Sequence, residues 1–235
     1  MNASKFFLKA ANSLVTAIVA LFLILAAAYS GYALWDNAQV YGAVDDIQSQ
    51  LLKLKPDPEQ KDGGASFEEL RKINPDVCGW ITLDHTKIDY PILQGEDNLT
   101  YMNFQGKYSL LYGHHMAEHK MFGDLDLYRK KKFFDKNTTG TLILPDRSYK
   151  LEIFACMQVS ASEDSIFATG KWQADTSGLV DFVRKNAEHV HQQTMDNIGK
   201  SEDFSQILAM STCSSEFTDA RTVLLAVMKP YSPET

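Results

Sequence analysis

Cysteine is scarce in this chain: three residues in 235, at Cys78, Cys156 and Cys213. They lie 78 and 57 residues apart. An odd number at such spacing excludes a disulfide framework, and no pair has the close spacing of a zinc site. Basic excess is also missing. Lys and Arg number 23 against 30 Asp and Glu, a net charge of -7, which argues against nucleic acid as a partner. There is no internal repeat and no low-complexity tract.

Charge is absent altogether from Ala10 to Trp35, where Leu14, Val15, Ile18, Val19, Leu21, Phe22, Leu23, Ile24 and Leu25 make an apolar centre. A helix needs about 20 apolar residues to cross a bilayer. Lys5 and Lys9 precede the run, and Asp36, Asp45 and Asp46 follow it. Positive-inside logic then puts the N-terminus in the cytoplasm and everything after residue 36 outside, with Tyr32 and Trp35 at the outer interface. A cleaved signal peptide is the alternative, with Ala26-Ala27-Ala28 near the cleavage point. The run exceeds the roughly 7–15 residues of a signal-peptide core, so an uncleaved anchor is expected. Residues 1–9 are then a cytoplasmic terminus, 10–35 a transmembrane anchor, 36–65 an amphipathic helix and linker, and 66–235 an extracellular domain large enough for a proper core.

Val40, Val44, Ile47, Leu51 and Leu54 recur at steps of four and three, the signature of one helical face over 37–54. The Pro- and Gly-bearing stretch 55–65 reads as a hinge. Ser66 and Glu69 have capping-box spacing and open a short helix that ends before Pro75. Short apolar runs follow at Gly79–Leu83, Lys87–Ile92, Leu110–Gly113, Gly140–Leu144, Tyr149–Val159, Gln206–Thr212 and Arg221–Met228. So many short strands in one domain predict a closed or nearly closed barrel. One helix interrupts them, over Thr176–Thr194, with Leu179, Phe182, Val183, Ala187 and Val190 on its apolar stripe.

Cys213 ends the run Ile207–Met210, and Arg221 begins the next. Two neighbouring strands would bring thiol and guanidinium together. A thiol needs a base to act as a nucleophile, and a guanidinium can hold an oxyanion. Of six histidines, His85 sits in a turn, and His189 and His191 fall on the surface of the expected helix. His114 and His115 follow Leu110-Leu-Tyr-Gly113 at a strand exit. His114, His115 and His119 have no cysteine or paired carboxylate at ligand spacing, so neither a metal nor another cofactor is expected. Cys156, within Leu151–Met157, reads as core, and Cys78 as structural.

Leu111-Tyr-Gly-His-His-Met116 followed by Met121-Phe-Gly-Asp-Leu125 resembles the catalytic-histidine segment of sortases, class B in particular. Ser211-Thr-Cys213 with Glu216-Phe-Thr-Asp-Ala-Arg221 resembles that class's cysteine and arginine segment. Asn74–Trp80 and Thr86–Ile92 are similar to its first barrel strands. The resemblance covers roughly 66–230. It implies a mainly β, α+β fold: a sortase-type closed barrel of about eight strands, with N-terminal helices and one long helix before the last strands. It also implies Cys213 as nucleophile, His114 as general acid/base, and Arg221 as the group for the oxyanion. Ser211, Thr212, Ser215 and Glu216 become substrate-binding candidates. The chain departs from the pattern at Met210, at Ser215 and in a shortened run from Asn103 to Leu110, where a barrel strand is either missing or built differently.

The implied activity is cysteine transpeptidation. A sorting-signal peptide of a secreted protein is cleaved through a thioester, and its acyl group passes to an amine of a peptidoglycan precursor or of a pilin subunit. A hydrolytic cysteine protease and a catalytically impaired surface protein on the same scaffold are the competing readings. The loop Ser160–Gly170, with Glu163 and Asp164, would lie near the substrate groove and reads as solvated.

Overall fold

The computed structural model describes residues 3–59, 64–95, 104, 106–116, 118–201, 205–214 and 219–231. The chain divides into two units, Met1–Ser49 and Gln50–Thr235.

The described residues of the first unit, 3–49, are helical throughout, as the greater part of α1 (Ala3–Leu52). The helix is long and apolar enough to cross a membrane. Its large apolar side chains are exposed, Phe22 at 70% and Ile24 at 65%. Residues 37–52 continue α1 without a break and do not form a separate helix; no Pro interrupts the ladder there.

The second unit begins at the end of α1 and continues with α2 (Gly64–Ile73). That helix starts before Ser66, so Ser66 lies within it and not at its N-terminus. Leu51, Leu54, Phe67, Leu70, Val77, Trp80 and Ile143 form one apolar cluster. Among the described residues ten strands follow: β1 (Val77–Leu83), β2 (Asp89–Leu93), β3 (Tyr108–Tyr112), β4 (His115–Met116), β5 (Lys120–Met121), β6 (Thr139–Ile143), β7 (Ser148–Ser160), β8 (His189–Val190), β9 (Ile207–Cys213) and β10 (Ala220–Pro230). The helices between them are α3 (Lys131–Lys136), α4 (Asp164–Phe167), α5 (Ser177–Asn186) and α6 (Gln192–Asn197). A 3₁₀ segment, Phe122–Arg129, joins β5 to α3.

Eight strands form one curled sheet in the order β2-β1-β6-β7-β10-β9-β3, with β8 paired to β7; β4 and β5 make a separate hairpin. The fold is mainly β with added helices, as expected. Every pairing is antiparallel except β3 with β9, which is parallel. β2 and β3 end the path, and no pairing joins them among the described residues. β3 begins at Tyr108, two residues before the expected start. Asn103 lies outside the described residues.

Period-two alternation divides the sheet into two faces. Leu208, Met210, Leu224, Ala226 and Met228 point into the cluster enclosed by the sheet and the 3₁₀–α3 connection. Ile207, Ala209, Val223, Leu225 and Val227 point the other way, beneath Leu179 and Val183 of α5. Each Leu, Ile, Val or Met among them contributes about 1.5–3 kcal/mol when fully buried.

The helix expected over 176–194 is broken. α5 stops at Asn186, and Ala187 turns to extended backbone. Glu188 N–H then donates to Cys156 O (2.9 Å), and His189 and Val190 pair with β7. Sheet pairing overrides helical periodicity here, because the β7 backbone takes up these groups in place of the next helical turn. The histidines move accordingly. His189 Nε2 sits 2.7 Å from Arg129 O, and the His191 ring stacks on Phe134 with centroids 4.2 Å apart. Both are partly buried contacts, not the surface positions expected.

Candidate active site

The site is built on the β9–β10 hairpin. Antiparallel register places Arg221 opposite Cys213 and Thr222 opposite Thr212. Alternation then directs Cys213 and Arg221 to one face and Thr212 and Thr222 to the other. Ser214 N–H donates to Ala220 O (2.9 Å), so the pairing continues past Cys213. Cys213 is exposed at the strand end. Arg221 is half-buried, and its Nη1 donates to Ala220 O at 3.0 Å. That is the one hydrogen bond its guanidinium makes among the described residues, which leaves N–H donors for an anion.

His114 arrives from the other side. β3 runs parallel to β9, with Tyr112 beside Ser211. The parallel direction carries both chains the same way, so His114 leaves the sheet where Cys213 does. Gly113 N–H donates to Ser211 O (3.0 Å), and Thr212 Oγ1 donates to Gly113 O (2.9 Å). His114 O accepts Phe122 N–H (2.9 Å). The backbone is thus held on both sides of the imidazole. Gly113 is required by close approach: a Cβ there would fall 2.1 Å from Cγ of Phe122.

Cys213, His114 and Arg221 all line one cleft of about 460 Å³. Tyr90–Leu93 of β2, Leu110–Tyr112 of β3, Met121 and Phe122 form much of its wall. The lining is mostly apolar, with Cys213, His114 and Arg221 at one end of the strands. Met121 is held at φ 52 and ψ -128, a conformation rare for a side-chain-bearing residue. Its N–H donates to the Tyr90 hydroxyl at 3.1 Å.

The other thiols differ from Cys213. Burial pushes the Cys78 thiol up to about 11 and pushes the fully buried Cys156 well above the usual thiol range. Both therefore stay protonated near neutrality, the opposite of what a nucleophile needs.

Of the remaining expected residues, Ser211 and Thr212 are buried and line the cleft. The Thr212 hydroxyl is committed to Gly113 and so braces the histidine segment. Ser215 and Glu216 lie outside the described residues. The segment after Ser160 is not a free loop. Glu163 accepts Ser165 N–H (3.0 Å) at the start of α4. The sequence reading did not find the β2 wall, nor Asp126, whose Oδ1 accepts Thr222 Oγ1–H at 2.7 Å and whose Oδ2 lies 2.9 Å from His115 Nε2. Asp126 stands one residue past the Met121–Leu125 motif, a weak signal. No group of three or more metal-ligating side chains occurs among the described residues.

No family model matches the chain. It is 27% identical over 213 residues to sortase B of Listeria monocytogenes, covering 79% of this chain and 82% of that one. Among solved structures it resembles a Streptococcus pyogenes class B sortase involved in pilus biogenesis. The identity is 30% and the TM-score 0.58, over 71% of this chain and 99% of that one. It also resembles sortase B from the type II pilus of Streptococcus pneumoniae, at 27% identity and TM-score 0.59, over 70% and 99%. With the fold and a likeness that spans 82–99% of these relatives, the chain belongs to the class B sortases.

Proposed function

We propose that Cys213, His114 and Arg221 carry out sortase transpeptidation on a sorting-signal peptide lying in the cleft. The observation that carries this is the register of β9 and β10, which sets the thiol opposite the guanidinium while β3 delivers the imidazole to the same end of the cleft.

Cys213 Sγ attacks, as thiolate, the carbonyl carbon of the scissile peptide bond. The carbonyl electron pair moves to oxygen, where the Arg221 N–H donors stabilise it. Collapse breaks the C–N bond, and the His114 imidazolium gives its proton to the leaving amine. An acceptor amine then attacks the thioester, His114 takes up its proton, and the C–S bond breaks to regenerate the thiolate. Ser211 and Thr212 are the proposed peptide contacts at the cleft floor, with Ser215 and Glu216 in the following loop. No cofactor is needed for these steps.

The apolar stretch of α1 is proposed to cross the membrane once, with the N-terminus cytoplasmic and residues 66–235 outside as the catalytic domain. There the enzyme meets secreted substrates and extracellular amines. The involvement of the S. pyogenes relative in pilus biogenesis supports a pilin lysine as the first acceptor to test, with a peptidoglycan-precursor amine as the second.

The test is a labelled sorting-signal peptide incubated with the full chain, with and without each amine. A ligated product that needs both acceptor and Cys213 is expected. Acceptor-independent cleavage as the sole product would replace transfer by hydrolysis, and unchanged processing by Cys213→Ala would end the enzymatic reading.

A further inference from the structure

Asp126 makes two contacts that the steps above leave without a purpose. One carboxylate oxygen lies 2.9 Å from His115 Nε2, and the other accepts the Thr222 hydroxyl at 2.7 Å. His115 directly follows His114, and Thr222 directly follows Arg221. A single carboxylate, on the 3₁₀ segment Phe122–Arg129, therefore links the peptide beside the imidazole to the strand residue beside the guanidinium.

Stability does not explain the link well. The His115 and Asp126 side chains are each 37% exposed, and an ion pair so open to water stabilises a fold by only about 0–1 kcal/mol. Thr222 is fully buried on the inward face of β10. A buried hydroxyl needs a partner, and this one reaches across to a half-exposed acid on another segment. Placement is the better account. Past Tyr112 the chain leaves the sheet. The ties of Gly113 and His114 run to β9 and to Phe122, and none of them reaches β10. Asp126 supplies that tie. The β4–β5 pairing of His115 with Met121 holds the same residue from the opposite edge.

We propose that Asp126 is a positioning residue that, through His115 and Thr222, sets where the His114 imidazole stands relative to Arg221. This rests on the reading of His114, Cys213 and Arg221 as the transfer site. Two reacting groups on separate strands keep a productive geometry only if something fixes one strand exit against the other, and misplacement by about 1 Å can cost on the order of a hundredfold in rate.

The experiment uses the full chain in detergent with Thr222→Val, Asp126→Ala, His115→Ala, the double variant Asp126→Ala/Thr222→Val, and Thr222→Ser. Each of the first three should lower kcat about tenfold with KM changed less than about twofold, since only the arrangement of reacting groups is altered. The double variant should cost no more than its worse single, and Thr222→Ser should recover most of the rate. In parallel, the NMR signal of the ¹³C-labelled His114 ring should move in all three single variants. Unchanged kcat in Thr222→Val and Asp126→Ala, or losses that multiply in the double variant, would overturn the proposal. If the wild-type chain transfers no peptide to any amine, the transfer reading fails by itself. The positioning role is then decided by NMR alone, and a His114 signal that stays put in all three variants rejects it.

Discussion

Gly113 lies so close to Phe122 that the two together act as the seat of His114: a Cβ on Gly113 would fall 2.1 Å from the ring's Cγ and 2.5 Å from its neighbouring carbons. Phe122 in turn donates its N–H to His114 O. Gly113→Ala must push the ring away, and with it the hydrogen bond that holds the imidazole's own peptide. Overpacking of this kind costs about 1–3 kcal/mol, so the melting temperature should fall by a few degrees. The rate should fall further, by about a hundredfold, because the misplacement is next to the reacting group. Steady-state kinetics beside a thermal melt would separate the two effects. A variant that loses stability at full kcat would show that Phe122 does not seat the histidine.

The three thiols should separate by pH. Cys213 is exposed, whereas burial holds Cys78 protonated up to about 11 and Cys156 higher still. Alkylation at pH 7–8 followed by peptide mapping should place the label on Cys213 alone. Cys78 should begin to react only as pH approaches 11, and Cys156 only on unfolding. Early label on Cys78 would mean that its pocket admits water.

Arg221→Ala should lower kcat by about 10²–10³, the usual loss of one oxyanion donor group. Arg221→Lys should not restore it, because an ammonium cannot reproduce the guanidinium's planar set of donors. Binding of the peptide, read as KM, should change much less. A loss confined to KM would assign Arg221 to substrate holding instead.

Away from the site, Glu152 joins the sheet to α6. Burial pushes its carboxyl up, but hydrogen bonds from Lys229 and Thr194 and the Lys229 charge outweigh this and hold it below its ordinary value of 4.5. A carboxylate with a depressed folded-state value adds stability above its unfolded value, and that contribution is lost as pH falls through the folded one. The gap in melting temperature between wild type and Glu152→Gln should thus be constant above about pH 5 and close at lower pH. A gap that widens on acidification would contradict the assignment.

Much of the candidate site was legible because its parts are local. A thiol at the end of Ile207–Met210, a guanidinium at the start of Val223–Met228 and an imidazole after Leu110–Gly113 are strand-exit positions that alternation and glycine mark directly. The seven longer strands were found to within two residues, since each buries an apolar face; the two-residue strands β4, β5 and β8 were not found. What was missed depends on contacts across the chain. His189 and Val190 continue a helical stripe in sequence but pair with β7 because Cys156 and Phe154 offer backbone partners. Ser66 and Glu69 have capping-box spacing, yet the helix begins two residues earlier. The His115–Asp126–Thr222 link spans 107 residues and leaves no periodicity to read.

By itself, the sequence determined an uncharged stretch long enough to span a bilayer and a mainly β domain, because composition and local period suffice for each; it offered Cys213, His114 and Arg221 as candidates only through the motifs that resemble the family's. Only the tertiary structure decided that Cys213 and Arg221 share a face, that β3 runs parallel to β9 and so brings His114 to the same end of the cleft, and that β2 supplies the far wall. Register and strand direction are set by which partners close the sheet, and that choice depends on all the strands at once.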